Sequence, residues 1–209
     1  MDSIYSFDSI PRGMVLLYGM IKRMKRRLFV AIPVPEAISR ELRYAIDRID
    51  DSILSCGREI PEIDWHITLK FIGEEDEKNI PKIMEAMKHV VELHKEKGKE
   101  IYITEVTFDT HKPPRIIWAN GSPDDSKMLG VMRNEFDKKC NALGIMKKND
   151  WKDFTAHISL IRLFKNPPRE SYVREPIEMA YKIPSLDLME SVLQKGGPEY
   201  KCIERISFS

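Results

Sequence analysis

Residues 65–72 read Trp-His-Ile-Thr-Leu-Lys-Phe-Ile, and residues 154–163 read Phe-Thr-Ala-His-Ile-Ser-Leu-Ile-Arg-Leu. Both segments are short, rich in β-branched and aromatic residues, and alternate between polar and apolar types, which is the signature of a half-buried strand. In a strand, residues i and i+2 share a face. His66 and Thr68 therefore share one face of the first strand, with Ile67, Leu69 and Phe71 expected on the other. In the second strand His157 and Ser159 share a face opposite Ile158 and Leu160. Each strand thus offers an apolar face to a core and a polar face bearing an imidazole beside a hydroxyl. The two histidines stand 91 residues apart, a spacing that suggests two duplicated lobes facing one another.

Working outward, Arg27–Ile32 is a β-rich run closed by Pro33 and Pro35. From Glu36 the period changes: Ile38, Leu42, Ala45 and Ile49 recur at helical spacing. Ile80, Ile83, Met84, Met87, Val90 and Val91 form the apolar stripe of a second helix, with Gly98 placed to end it. Ile101–Phe108 and Arg115–Ala119 read as strands. A third helix spans Asp124 to Leu143, with acidic residues in its first turn and Gly144 after its last. Leu186–Leu193 and Tyr200–Phe208 read as a hairpin around Gly196-Gly197-Pro198. The predicted order is β-α-β-α-β-β-α-β-β-β, an α+β fold of mostly antiparallel sheet with outer helices.

Composition narrows the function. The net charge is +1 over 209 residues, so the electrostatic footprint of a duplex-binding protein is missing. A nucleic-acid substrate is expected to be held locally, at an end or a single nucleotide. The three cysteines, Cys56, Cys140 and Cys202, neither pair up nor stand at zinc spacing, in keeping with a reducing cytoplasm. No glycine-rich phosphate loop follows a strand, which argues against a nucleotide-cofactor site. The apolar run Met14–Ile21 is too short to span a bilayer. Residues 1–25 are read as a flexible extension, with Met24 an alternative start, and residues 26–209 as the folded domain.

Imidazole titrates near neutrality, so a pair can supply a base and an acid to one reaction. Hydroxyls can donate to the non-bridging oxygens of a phosphodiester. The pattern alone fits a catalytic pair and a pair of solvated strand histidines equally well.

The surrounding segments resemble a known family. RLFVAIPVP from Arg27, DWHITLKFIGE around His66, PRIIWA at Pro114–Ala119, FTAHISLIRL around His157 and ESVLQKGGPEY near the end are similar, in order, to segments of the 2H phosphoesterase superfamily. Within it they resemble the RNA 2′,3′-cyclic phosphodiesterases, also called 2′-5′ RNA ligase-like proteins. The resemblance implies a bilobal fold around a cleft and a reaction without metal or cofactor. It implies hydrolysis of a terminal 2′,3′-cyclic phosphate to a 2′-phosphate, with reversible 2′-5′ joining as a side activity. Position by position it assigns His66 and Thr68 to the first motif, and His157, Ser159 and Arg162 to the second. His66 is read as the proton donor and His157 as the proton acceptor, with the exchanged roles as the main alternative, and Thr68, Ser159 and Arg162 as the phosphate ligands. The expected partners are RNA 3′ ends or nucleotides with a cyclic phosphate, bound by a monomer away from membranes. A binding module with little turnover is the competing reading.

Two details strain the simple alternation. Arg162 lies five residues from His157, an odd offset that a flat strand would turn away from the cleft, so a bulge or strand end must re-aim it. Lys70 shares the parity of His66 and Thr68 and is expected at the cleft border. Phe29 and Trp65 are candidates to stack on a base, with core packing the favoured reading for Phe29. His111 and Arg115 are read as surface residues, and His89 and His94 as ordinary helix residues.

Overall fold

The computed structural model describes residues 25–95, 99–145, 153–169, 171–195 and 197–208. Among them nine strands and four α-helices follow in order: β1 (Lys25–Pro33), α1 (Glu36–Ile46), α2 (Asp51–Leu54), β2 (Gly57–Glu59), β3 (His66–Asp76), α3 (Ile80–His94), β4 (Glu100–Phe108), β5 (Ile116–Gly121), α4 (Pro123–Ala142), β6 (His157–Leu163), β7 (Arg174–Lys182), β8 (Ser185–Gln194) and β9 (Gly197–Ser207). This is the expected α+β fold of antiparallel sheet and helices. The residues that were to end the second helix and open the last hairpin, Gly98 and Gly196, lie outside the described residues, as does the extension before Lys25.

The strands form one open sheet in the order β7-β4-β5-β6-β3-β1-β8-β9, with β2 added beside β6. It divides into two four-stranded halves, β3-β1-β8-β9 and β6-β5-β4-β7. The two motif strands β3 and β6 meet at the centre, where the ladder between them consists of the pair Ile67 and Ile158. Each partner is the residue between the histidine and the hydroxyl of its motif. A pseudo-twofold relation runs through that pair. It exchanges β3 with β6 and β1 with β5, so the two expected lobes are halves of one continuous sheet.

Helix burial follows sequence periodicity. Ile38, Leu42, Ala45 and Ile46 bury one face of α1, and Ile83, Ala86, Met87, Val90 and Val91 bury one face of α3. Helix α4 begins with a capping box: the Ser122 hydroxyl accepts from the Asp125 N–H, and the Asp125 carboxylate accepts from the Ser122 N–H. This satisfies two orphan donors of the first turn. Helix α4 ends at Gly144, whose φ of 74° is readily adopted only without a Cβ. The core is continuous across both halves, from Leu28, Val30 and Ile32 on β1 to Ile158, Leu160 and Ile161 on β6.

Strands β2 and β7 were not expected from the sequence. β2 has three residues, too few for a periodic signal. β7 reads Arg-Glu-Pro-Ile-Glu-Met-Ala-Tyr-Lys, and Pro176 lowers its strand character. The sheet tolerates that proline because β7 is an edge strand, where one side of the backbone needs no ladder partner.

Candidate active site

The site is set by two bulges. Between β3 and β1, Thr68 is opposite Ala31 and Lys70 is opposite Val30, so Leu69 is passed over. Between β6 and β5, Ser159 is opposite Trp118 and Ile161 is opposite Ile117, so Leu160 is passed over. A bulge reverses the inside–outside parity of everything beyond it.

In β6 the reversal turns Ile161 into the core, fully buried, and returns Arg162 to the face of His157 and Ser159. The odd offset of Arg162 is resolved in this way. The guanidinium reaches the Tyr200 hydroxyl, which accepts at 3.4 Å. It is also close enough to His66 for its charge to disfavour a second cation there.

In β3 the same reversal corrects two sequence expectations. Lys70 does not border the cleft: it is buried at 8% exposure and donates to Asp137 of α4 at 2.7 Å. Phe71 does not join Ile67 and Leu69 in the core. It lies on the face of His66 and Thr68, 62% exposed. Strict alternation failed at both residues because one extra residue, Leu69, was absorbed before them.

The two histidines are held alike. His66 Nδ1–H donates to the Asp64 carbonyl oxygen at 2.6 Å, and His157 Nδ1–H donates to the Thr155 carbonyl oxygen at 2.8 Å. In each case the acceptor lies two residues upstream. This bond fixes the tautomer and leaves Nε2 as the reactive nitrogen. At His66 the Thr68 hydroxyl donates to Nε2 at 3.1 Å. Through the Ile67–Ile158 pair the antiparallel sense sets His66 towards Ser159 and Thr68 towards His157, so the motifs interlock.

Aromatic rings support both imidazoles. Phe29, only 1% exposed, packs against His66 with ring centres 5.1 Å apart. Tyr200 meets His66 edge-on at 5.5 Å and Phe29 at 5.2 Å. Trp118 packs against His157 at 4.5 Å. Phe29 is therefore a support beneath the site. Trp65 is buried, with its indole N–H donating to the Ile60 carbonyl, and has no open ring face for a base. Tyr200 was missed from the sequence because nothing local reveals that β9 brings it across to Arg162.

Electrostatics point in one direction. Burial holds the His66 pKa below its ordinary 6.5, aided by the nearby His157 and Arg162 and opposed by the Asp64 carbonyl bond. Burial also lowers that of His157, opposed by the Thr155 carbonyl bond and the Asp109 carboxylate. Both rings rest neutral at pH 7, each with a basic Nε2. An anion bound between them favours protonation of either ring.

His111 and Arg115 belong to a loop cluster around Asp109, whose charge also reaches His157: the buried Asp109 carboxylate accepts from His111 Nδ1 at 2.7 Å and from the Arg115 N–H at 3.0 Å. His94 is buried and bonds Glu135 of α4 at 2.6 Å. Among the described residues no group of three or more His, Cys, Asp or Glu side chains is placed to share a metal ion. No helix among them is long and apolar enough to cross a membrane.

The LigT like Phosphoesterase family matches residues 32–118, a stretch that contains β3 and its motif and stops before β6. Over that stretch this chain is similar to the LigT-like phosphoesterases. It is 26% identical over 179 residues to a protein of Archaeoglobus fulgidus named RNA 2′,3′-cyclic phosphodiesterase, covering 84% of this chain and 96% of that one. A protein of Methanocaldococcus jannaschii with the same name is 27% identical over 186 residues, covering 85% and 98%. Among solved structures, a Thermus thermophilus protein aligns with a TM-score of 0.70 at 21% identity, over 87% of this chain and 97% of that one. E. coli LigT complexed with NADP+ aligns with a TM-score of 0.65 at 17% identity, over 88% and 98%. The LigT-like fold therefore extends over both halves of the sheet, beyond the segment the family profile matches.

Proposed function

We propose that this LigT-like chain is an RNA 2′,3′-cyclic 3′-phosphodiesterase, a hydrolase that opens a terminal cyclic phosphate to a 2′-phosphate. The observation that carries this reading is the matched pair of imidazoles. Each is locked through Nδ1 to a carbonyl two residues upstream, and the two motifs meet at the Ile67–Ile158 pair. The curated relatives carry the name of this activity, and LigT has been crystallised with 3′-AMP.

In the proposed reaction His157 Nε2 takes a proton from water as the water oxygen attacks phosphorus. The bond from phosphorus to the ribose 3′ oxygen breaks, and His66 Nε2 delivers a proton to that oxygen. His66 rests neutral, so it must take up a proton from solvent as the substrate binds. A phosphodiester anion beside Arg162 offsets the guanidinium charge and raises the proton affinity of His66. Arg162, Thr68 and Ser159 bind the non-bridging oxygens, with the Thr68 hydroxyl exchanging its bond to His66 for one to phosphate. With a 5′-hydroxyl in place of water, the same attack on phosphorus and departure of the 3′ oxygen join the end through a 2′-5′ bond as a side activity, and in the reverse step, where the 3′ oxygen attacks and the 5′ oxygen leaves, the histidines exchange roles. The three free thiols fit action in a reducing cytoplasm, and the proposed active form is a monomer.

The test is product analysis on an oligonucleotide ending in a 2′,3′-cyclic phosphate. A 2′-phosphate product is expected, with activity retained in EDTA. A 3′-phosphate would overturn the choice of leaving oxygen. Tight binding without turnover would favour the binding-module reading.

A further inference from the structure

The two histidines differ in what stands across from them. Under the pseudo-twofold relation β1 corresponds to β5. The β1 residue opposite His66 is Pro33, and the β5 residue opposite His157 is Asn120. Residues directly opposite one another share a face of the sheet. One imidazole therefore stands beside a pyrrolidine ring, which has no side-chain donor or acceptor, and the other beside a carboxamide.

Asn120 is held close to His157. The Gly121 N–H donates to the Ala156 carbonyl oxygen at 2.8 Å, which makes the next rung, Asn120 with His157, a non-hydrogen-bonded pair. At such a rung the Cα atoms lie about 4.5 Å apart and the side chains come closest. Gly121 permits the approach, because a Cβ on it would meet the Ala156 Cβ at 2.8 Å. From the other side the Thr104 hydroxyl donates to the Asn120 backbone carbonyl at 3.3 Å. The carboxamide oxygen of Asn120 is covered and has no hydrogen-bond partner among the described residues. The same holds for the indole N–H of Trp118, whose ring packs against His157. A covered, unpaired amide oxygen carries a desolvation cost that nothing in the free protein offsets. Glu105, opposite Asn120 on β4, is already engaged: its carboxylate accepts from Arg174 Nε at 3.0 Å.

Resting on the phosphodiesterase reading with His157 as the base, we propose that Asn120 is the second ligand of the attacking water. A water has two protons. His157 Nε2 takes one as the water oxygen bonds to phosphorus. The Asn120 carboxamide oxygen accepts a hydrogen bond from the other, which stays on that oxygen and leaves with the phosphate product. The amide presents its oxygen to the water by turning about its last side-chain bond. As a neutral acceptor it orients the water without the charge of a carboxylate, which would repel the phosphodiester. The departing 3′ oxygen takes up a proton and needs no such acceptor, and the residue beside His66 is a proline. The asymmetry gives a nearly symmetric cleft one end for water and one for the leaving oxygen.

The test compares wild type, Asn120→Ala and Asn120→Leu on adenosine 2′,3′-cyclic phosphate, in water and in a water–methanol mixture. Methanol has a single hydroxyl proton, which goes to His157, so Asn120 has nothing to accept from it. Both variants are expected to lower kcat for hydrolysis about tenfold, with KM within about twofold. Attack by methanol should fall by less, so the ratio of methyl ester to free 2′-phosphate is expected to rise severalfold. An unchanged ratio overturns the proposal, because a general distortion of the site would slow both nucleophiles together. Hydrolysis at the wild-type rate in both variants overturns it as well. Wild-type protein that leaves the cyclic phosphate intact would instead remove the phosphodiesterase reading on which the water ligand rests.

Discussion

Leu69 and Leu160 are equivalent residues. Each follows a motif hydroxyl, and each is passed over by the neighbouring strand, β1 for Leu69 and β5 for Leu160. Both side chains are buried, at 1% and 0% exposure. The same irregularity, placed twice, decides what shares the face of the two histidines and what faces the core.

The first consequence concerns Arg162. Its planar fork can bind two phosphate oxygens at once, which an ammonium cannot. Arg162→Lys is expected to raise KM for a cyclic nucleotide about tenfold, and Arg162→Ala more, as steady-state kinetics would show. Unchanged KM in both variants would place this guanidinium outside the phosphate site.

Lys70 illustrates the opposite consequence. Its ammonium is buried against Asp137 at 2.7 Å, so it joins β3 of one half to α4 of the other. Removing one partner of such a pair leaves an uncompensated charge, at a cost of about 3 kcal/mol. Lys70→Met is expected to lower stability by that order in chemical denaturation while the KM for substrate holds. A raised KM with intact stability would return Lys70 to the substrate.

His66→Ala and His157→Ala are each expected to lower kcat by about 10²–10⁴-fold. The fold should persist, because each ring is only half-buried. Thermal melts of the two variants alongside single-turnover assays make the check. Full activity in either variant would end the acid–base pairing.

The pH profile follows from the depressed histidines. Both free-enzyme values lie below 6.5, so the bell in kcat/KM is expected on the acidic side of neutrality. The bell in kcat should sit higher, since a bound phosphodiester raises the affinity of the acid for its proton. NMR titration of His66 with and without phosphate tests the same coupling: its pKa should rise on binding. A fall would contradict the arrangement.

Stability carries a matching signature. A histidine held below its unfolded value makes the unfolded chain the better proton acceptor. Stability is therefore complete above about pH 6.5 and is lost as the pH falls from there through the lowered folded values. The melting temperature is expected to drop between pH 7.5 and 5.5, and to drop less in His66→Gln/His157→Gln. An equal drop in that variant would assign the acid sensitivity elsewhere.

Much of this was legible in the chain. The alternation around His66 and His157 placed both strands and both polar faces, because residues 67 and 158 are apolar and their burial enforces the register. The helix stripes were legible for the same reason. Lys70 and Phe71 were misplaced because a bulge leaves no mark in a single sequence. At Arg162 the functional expectation supplied what the pattern lacked. Tyr200 and Trp118 were not assigned to the site because they reach it through the register of β9 and β5, which depends on the whole sheet. β7 escaped because Pro176 is a strand breaker everywhere except at an edge.

The central rung of the sheet has an implication for how such a protein can diverge. The backbone ladder between β3 and β6 is the pair Ile67 and Ile158, and the two imidazoles are its immediate neighbours in sequence. The relative placement of the two imidazoles is thus local to a few residues on either side of one paired position. Helices, outer strands and loops can drift in identity and length without changing it, so long as they keep the sheet's two halves in contact. A chain about one-quarter identical to its relatives can on this footing keep its two histidine motifs side by side.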